Sequence, residues 1–510
     1  MKSPIPETGD AASSETTAFK EIEVKLTGEA AELSTIFKQL KGDSPSTSRV
    51  VSTYYDTPDG HLWQRGFSLR LREKGDGHEL TLKRQDGKAW ERGEWTSAVR
   101  QPVADIGLLP EAAPRRDIGA VLPEELNPLF ASDIKRAKKN LALDGAMVEV
   151  ALDLGRIVNG AREAPVAELE FELLNGSVAV MLEHVRSLMG PHQLAFDARS
   201  KAARGIDFVT GAPPDWVKAV KPTLGTSDTI DRAVTKIVGV TAMQITGNLA
   251  AAADGRDPEG VHQLRVALRR LRSAFTLFKR DLAHRADGLG SEARRALGRL
   301  GPARDLDVFL LETMPPVLAS APDNAALLKL VGTAEARRED AYADVRQLVR
   351  EPEFNRFLLD LMIVAEYGGL VVTNYDMPLR PAAVALLQKR HKNVLKVGGD
   401  FANLPYPDRH RVRIALKKLR YACDYFQDLF DRDAARPYLK RMASLQDDLG
   451  RLNDATVAEQ IVDSLAGDDK EARVGGALVT GWYRHRLMTV EPHMLKAWTQ
   501  FAEARPFWRA

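Results

Sequence analysis

The sequence predicts an antiparallel α+β domain followed by an all-α domain. Three observations carry that expectation. From about residue 19 to 174 the chain shows short runs of strict period-two alternation. Beyond a Pro-rich stretch at Gly211-Ala212-Pro213-Pro214 it turns to long Ala/Leu/Arg-rich segments of 3.6-residue periodicity. Those segments then repeat: His262 plus 148 is His410, and VHQLRVALRRLRSAF answers RHRVRIALKKLRYAC without a gap.

The strands are read in order. Glu21 to Leu26, Ser68 to Arg72 and Leu80 to Lys83 alternate, as do Val148 to Leu154 and Glu168 to Leu173. Gly and Pro punctuate the gaps at Thr57-Pro58-Asp59-Gly60, Gly75-Asp76-Gly77 and Gln85-Asp86-Gly87, where Asp-Gly pairs signal hairpins. Ala30 to Leu40 and Ser177 to Met189 have amphipathic, helical spacing. The expected boundaries are a mobile polar tail over 1–17, a first domain over 18–210, a linker over 211–222 and a helical domain over 223–507.

Composition narrows the function. A chain of 510 residues suits two to four domains at about 150 residues each. With 72 basic and 70 acidic residues the net charge of +2 selects no partner, so any electrostatic partner must come from local clusters. The single Cys423 excludes a disulfide framework and a thiolate-rich zinc site, and fits a reducing compartment. No stretch reaches the roughly 18 apolar residues of a membrane span, and the first residues lack an apolar signal region. A cytoplasmic location is expected.

The polar faces of the strands carry the chemistry. Glu21, Glu23 and Lys25 share one face, Arg70 and Arg72 another; Thr81 and Lys83 share a third, and Arg92 and Glu94 a fourth. Glu149 and Asp153 are paired by alternation, as are Glu168, Glu170 and Glu172. Acids gather on the first and last strands and bases on the middle ones, whereas a solvated face tends to mix its signs. If the sheet closes, these faces can turn inward, where buried charges need partners. Carboxylates two apart on a strand are hard oxygen ligands for Mg²⁺ or Mn²⁺, and Arg and Lys opposite would hold phosphate oxygens.

Glu21-Ile22-Glu23-Val24-Lys25 resembles the ExExK signature of the CYTH domain, the triphosphate tunnel metalloenzymes. The resemblance continues through Tyr54-Tyr55-Asp56-Thr57-Pro58, Leu69 to Arg72, Thr81-Leu82-Lys83, Glu149 to Gly155, Glu168-Leu169-Glu170 and Ser200 to Gly205, over about residues 18–210. It implies an eight-stranded antiparallel barrel enclosing a tunnel for triphosphates, with Mg²⁺ or Mn²⁺ as cofactor. By position, Glu21, Glu23, Asp153, Glu168 and Glu170 match the metal-binding acids. Lys25, Arg70, Arg72, Lys83, Arg136 and Lys201 match the phosphate-binding bases. Glu23 and Lys25 are the candidate catalytic pair, Lys25 being placed to orient a water or lower its pKa. Glu94 and Glu149 point inward by alternation, while a structural role for Glu172 and Arg204 is as well supported as a chemical one. There is no Walker A loop, which argues against a P-loop NTPase.

In the second half His262, Arg265, Arg269 and Arg272 fall within about 80° of one another on a helix, beside a separate leucine arc. His410, Arg413, Lys417 and Arg420 repeat the geometry; from His262 to Arg280 there are six Arg/Lys and no acids, and from Arg409 to Arg420 again six and none. Such ridges attract polyanions. Nucleic acid is disfavoured because stacking aromatics are not interleaved, whereas inorganic polyphosphate needs only charge. The two His-x-x-Arg helices and Leu297 to Val308, with Arg304-Asp305-Leu306-Asp307, resemble the CHAD domain over about residues 223–507. That resemblance implies two pseudo-symmetric four-helix bundles and a polyphosphate-binding surface formed by these eight residues. Helix-face histidines in such a ridge contact anions or pack more often than they bind metal.

The leading reading is a metal-dependent inorganic triphosphatase acting on tripolyphosphate, with a helical domain for long-chain polyphosphate and polyphosphate granules as a place of association. Thiamine triphosphate hydrolysis, cyclisation of ATP, or a polyphosphate-binding scaffold without turnover are the alternatives. No oligomeric state follows from the sequence.

Overall fold

The computed structural model describes residues 19–84, 91–190 and 192–509, with backbone alone at 19–21, 91, 92, 488 and 489. The expected tail and the Gln85-Asp86-Gly87 turn lie outside the described residues. Among the described residues nine strands form the first region: β1 (Phe19–Thr27), β2 (Ser46–Asp56), β3 (Phe67–Lys74), β4 (Gly77–Arg84), β5 (Glu91–Val99), β6 (Asn127–Leu143), β7 (Ala146–Asn159), β8 (Arg162–Gly176) and β9 (Ala195–Phe196). Their order is β5-β4-β3-β2-β6-β7-β8-β1, and β1 also pairs with β5. That pairing closes eight antiparallel strands into the expected barrel, with the two-residue β9 appended to β1.

The barrel is polar inside and apolar outside, so its outer face must be covered. Helices α1 (Ala30–Gln39) and α4 (Val178–Leu188) cover β1, β7 and β8, where Leu33, Ile36, Met181 and Val185 meet Val24, Leu26, Val150 and Phe171. On the other side the short α2 (His61–Gln64), α3 (Arg115–Ile118) and the loop around Ile106 pack on Leu69, Leu71, Leu80 and Leu82. Buried Asp56 fixes α2 by accepting from the backbone N–H groups of Thr57, Leu62 and Trp63 at 2.8–2.9 Å. Helix α5 (Lys201–Thr210) lies against β6 and β7. Its Gly205 has no room for a side chain, because a Cβ there would sit 2.1 Å from the Phe130 ring.

The rest is helical: α6 (Ile230–Gly247), α7 (Leu249–Asp254), α8 (Glu259–Leu277), α9 (Arg285–Arg299), α10 (Gly301–Val308), α11 (Met314–Ser320), α12 (Ala325–Leu348), α13 (Pro352–Tyr367), α14 (Leu379–Gly398), α15 (Tyr406–Phe426), α16 (Arg432–Ala466) and α17 (Lys470–Ala502). Helices α6, α8, α9 and α13 pack together, as do α14 to α17, and α8 meets α15 where the two groups join. No helix among the described residues is long and apolar enough to cross a membrane.

The two regions are bolted together by α13. Asn355, fully buried, accepts from the Phe196 N–H at 2.7 Å and donates to the carbonyls of Val349 and Glu351. Tyr367 reaches Ser177 at 2.7 Å, and Asp360 binds Arg186 and Arg285, each at 2.9 Å. The apolar cluster is continuous across this junction.

Candidate active site in the barrel and the helical cleft

Alternation aims the polar residues of the strands into the barrel, and the register brings them into rows. Lys25 lies opposite Glu170, Glu23 opposite Glu172, Arg136 opposite Asp153, Asp153 opposite Glu168, and Lys83 opposite Glu94. They enclose a cavity of about 440 Å³, lined among others by Glu23, Lys25, Arg70, Arg72, Lys83, Arg136, Asp153, Glu170 and Lys201. Glu94, Glu149 and Glu172 line it as well. Of the expected acids, the Glu21 side chain lies outside the described residues, and Glu168 sits just behind the lining, fully buried.

One wall is acidic and tightly paired. Lys25, only 4% exposed, binds Glu23 at 3.1 Å and Glu170 at 3.0 Å. Arg136 grips Asp153 with two N–H groups at 2.6 and 2.7 Å, and reaches Glu170 at 2.5 Å. Lys201 binds Asp153 at 2.6 Å, Glu170 at 2.9 Å and also Glu168, which Arg204 holds from its other side. Burial alone would raise the Glu170 pKa, but Lys201, Lys25 and Arg136 together hold it well below the usual carboxylate range. Asp153 is likewise depressed, against its burial, chiefly by Lys201. The carboxylates of Asp153, Glu168 and Glu170 offer oxygens within 4.8 Å of one another, a hard donor set that fits Mg²⁺ or Mn²⁺. Among the described residues it is the one grouping with metal-ligand spacing, and it contains no histidine.

The other wall is basic and under-compensated. Arg70 donates to Thr81 at 3.2 Å while its buried Nε has no partner, and Arg72 donates to Ser52 at 3.3 Å. Their nearest described carboxylate is Glu79, at 3.9 and 3.8 Å. Burial, then the charges of Arg70 and Arg136, push the Arg72 guanidinium down to about 10. A crowd of cations this short of anions is poised for a polyanion. Lys83 and Glu94 pair at 2.9 Å beside them.

Arg84 and Lys138 line the cavity without having been expected there, and so does Glu79. It stands two positions before Thr81 on β4, so carrying the alternation one step back from Leu80 would have found it. Trp63 and Asp215 were also out of reach, because α2 and the segment after α5 carry no strand periodicity to aim them.

In the helical region α8 and α15 bring the two basic ridges face to face. Arg269 is close enough to α15 for its charge to disfavour the protonated forms of Arg413 and Lys417, and it acts in the same way on His262 and Arg265. Burial, then Arg413 and Arg269, lower the Lys417 ammonium to about 8. The Nε atoms of Arg269 and Arg413 are buried without a partner. Arg265 donates to the Leu297 carbonyl at 2.8 Å, Arg420 binds Asp424 at 3.2 Å, and burial and Arg294 lower Arg272. His410 is half-buried on the same face as Arg413. Acids are absent between His262 and Arg280 and between Arg409 and Arg420, but others reach the ridges: Glu259 of α8 acts on His262 and Asp424 of α15 pairs with Arg420, while from neighbouring helices Asp305 acts on Arg265 and Asp454 on Arg413 and Lys417. Asp305 and Asp454 are themselves raised by burial, so compensation is incomplete.

Residues 20–206 match the family model of the CYTH domain, and residues 240–463 that of the CHAD domain. The inorganic triphosphatase of Haemophilus influenzae is 31% identical over 179 residues, 32% of this chain; the match spans only 48% of that relative's length. A crystal structure of the CHAD domain from the plant Ricinus communis aligns with a TM-score of 0.51 at 27% identity, covering 57% of this chain and 98% of that one. PptA from Streptomyces chartreusis aligns at 18% identity with a TM-score of 0.44, covering 54% of this chain and all of that one.

Proposed function

The chain belongs to the CYTH family in its barrel and to the CHAD family in its helices, and on that premise we propose that it is a metal-dependent inorganic triphosphatase whose helical cleft binds longer polyphosphate. The observation that carries this reading is the opposition of a carboxylate wall and an under-compensated cation wall within one cavity of about 440 Å³. The printed activity of the Haemophilus relative points the same way.

The chemistry follows from charge. Hydrolysis of a terminal phosphoryl group is slow because the attacking water must approach a crowd of negative oxygens, so positioning and charge neutralisation supply most of the catalysis. Arg70, Arg72 and Lys83 hold the phosphoryl oxygens on one side, Arg136 on the other, the arginines with the option of bidentate contact. Asp153, Glu168 and Glu170, with Glu23 and Glu21 as the further acids, would hold Mg²⁺ or Mn²⁺. Such an ion supplies charge neutralisation for the phosphoryl oxygens and polarises water. Lys25, fixed between Glu23 and Glu170, orients a water and stabilises its developing negative charge, and Glu23 holds Lys25 in place. In the cleft, Arg269, Arg413 and Lys417 supply charge that Asp454 offsets only in part and that, among the described residues, no metal-ligand triad accompanies, a surface for binding rather than turnover.

A second reading keeps the barrel and changes the substrate. Trp63 lines the cavity and offers a ring on which a base or thiazolium could stack, which favours an organic triphosphate. The assay that separates them measures phosphate release from tripolyphosphate, thiamine triphosphate and ATP, with and without Mg²⁺ or Mn²⁺, alongside binding of long-chain polyphosphate. Metal-dependent release from tripolyphosphate in preference to the organic compounds supports the proposal. Pyrophosphate release from ATP would indicate a cyclase, and tight polymer binding with no turnover a scaffold.

A further inference from the structure

Lys201 stands in the one place where a metal ion is expected. Its ammonium contacts all three carboxylates of the triad, Asp153 at 2.6 Å, Glu170 at 2.9 Å and Glu168. It donates to Glu168 and Glu170 and lies in ion-pair contact with Asp153, so the ammonium is turned to the triad rather than to the open cavity.

Resting on the reading of the triad as the metal-binding group, we propose that Lys201 is a tethered counter-cation: it occupies the carboxylates in the metal-free protein, is displaced by the incoming ion, and is thereby released to the phosphate chain. The triad's oxygens lie within 4.8 Å of one another and Lys201 sits among all three carboxylates, so a divalent ion bound by all three would compete with the ammonium for that position. The carboxylates keep other anchors when Lys201 leaves. Arg136 holds Asp153 and Glu170, and Arg204 holds Glu168. Lys201 opens α5 as its first residue, behind the Ser200 cap, and its four-carbon stem borders the cavity from which Arg136 also projects. Exchange of one positive charge for two at the triad, with the first delivered to the cavity, makes metal and polyanion binding mutually reinforcing. Lys201 thus links the two, and while the triad holds it a phosphate chain entering before the metal meets one cation fewer.

The test is Mn²⁺ binding to the full chain by calorimetry, without phosphate, for the wild type, Lys201→Gln, Lys201→Arg and Asp153→Asn. Lys201→Gln is expected to bind Mn²⁺ about tenfold more tightly than the wild type, and Lys201→Arg, which keeps the competing charge, no more tightly. Adding inorganic tripolyphosphate at low temperature should tighten Mn²⁺ in the wild type more than in Lys201→Gln. Since Lys201→Gln leaves three carboxylates short of a cation, its melting temperature in EDTA should fall and recover with Mn²⁺. Equal or weaker Mn²⁺ binding by folded Lys201→Gln, with Asp153→Asn binding none, overturns the counter-cation role and leaves the triad as the metal site. Undiminished Mn²⁺ binding by Asp153→Asn overturns the assignment of the triad, and this proposal with it.

Discussion

The barrel and the helical cleft both gather cations away from bulk water, yet they treat them differently. In the barrel Lys25, Arg136, Lys201 and Arg204 are met closely by Glu23, Asp153, Glu168 and Glu170, whereas among the described residues Arg70 and Arg72 share the single, more distant Glu79. In the cleft Arg269, Arg413 and Lys417 face one another across two helices, compensated only in part by Asp454 of α16. Paired charges of both signs can organise a metal, a water and a phosphate chain at once. Charges of one sign can only hold the chain. The contrast separates catalysis from capture within one molecule.

The largest expected effect tests the paired region. Glu170 is ion-paired with three cations, so Glu170→Gln should lower tripolyphosphate turnover by about a thousandfold. Removing one partner from a buried network also costs about 3–5 kcal/mol, so a thermal melt should accompany the rate. Polymer retention by the cleft should survive in the folded variant. Next comes Arg70→Ala on the under-compensated wall, which is expected to raise KM for tripolyphosphate by about 10- to 100-fold with a smaller change in kcat. An unchanged KM would show that Arg70 does not hold the phosphates of the bound substrate.

A smaller effect is expected in the cleft. The double variant Arg269→Ala, Arg413→Ala should weaken long-chain polyphosphate by about tenfold and lower the salt slope of binding by about two. An unchanged slope would remove these two arginines from the binding surface. The smallest is a pH dependence. The Lys417 ammonium is depressed to about 8, so it is charged below that pH and neutral above it. Polymer binding should therefore weaken by about two- to threefold as pH rises through 8, and Lys417→Arg should flatten that profile. Stability has the opposite sign: between about 8 and 10.5 the unfolded chain binds the proton that the folded one has lost, so this group adds stability as pH rises. A profile that Lys417→Arg leaves unaltered would assign the titration elsewhere.

Much of the barrel was legible because strand alternation is a geometric code. Once Glu21 to Leu26 and Glu168 to Leu173 read as strands, Val24, Leu26, Leu169 and Phe171 had to take one face and the acids the other. Which face turned inward was not in the pattern; it depends on closure through β1 and β5, a long-range pairing. The helices α1 and α4 were legible from their apolar stripes, and the 148-residue offset placed His262 and His410 on equivalent helices. That Arg269 of one ridge should reach Arg413 and Lys417 of the other needed the crossing of α8 and α15, which no single-helix wheel contains. Periodicity also says nothing of Lys201, a helix-opening residue outside the strands whose place came only through the family resemblance.

The separation of the two regions is tested most directly by one variant in two assays. Glu23→Gln removes an acid that fixes Lys25, and the account predicts that the folded protein loses metal-dependent phosphate release from tripolyphosphate while binding long-chain polyphosphate as the wild type does. Turnover at the wild-type rate, or loss of both properties together, would contradict it.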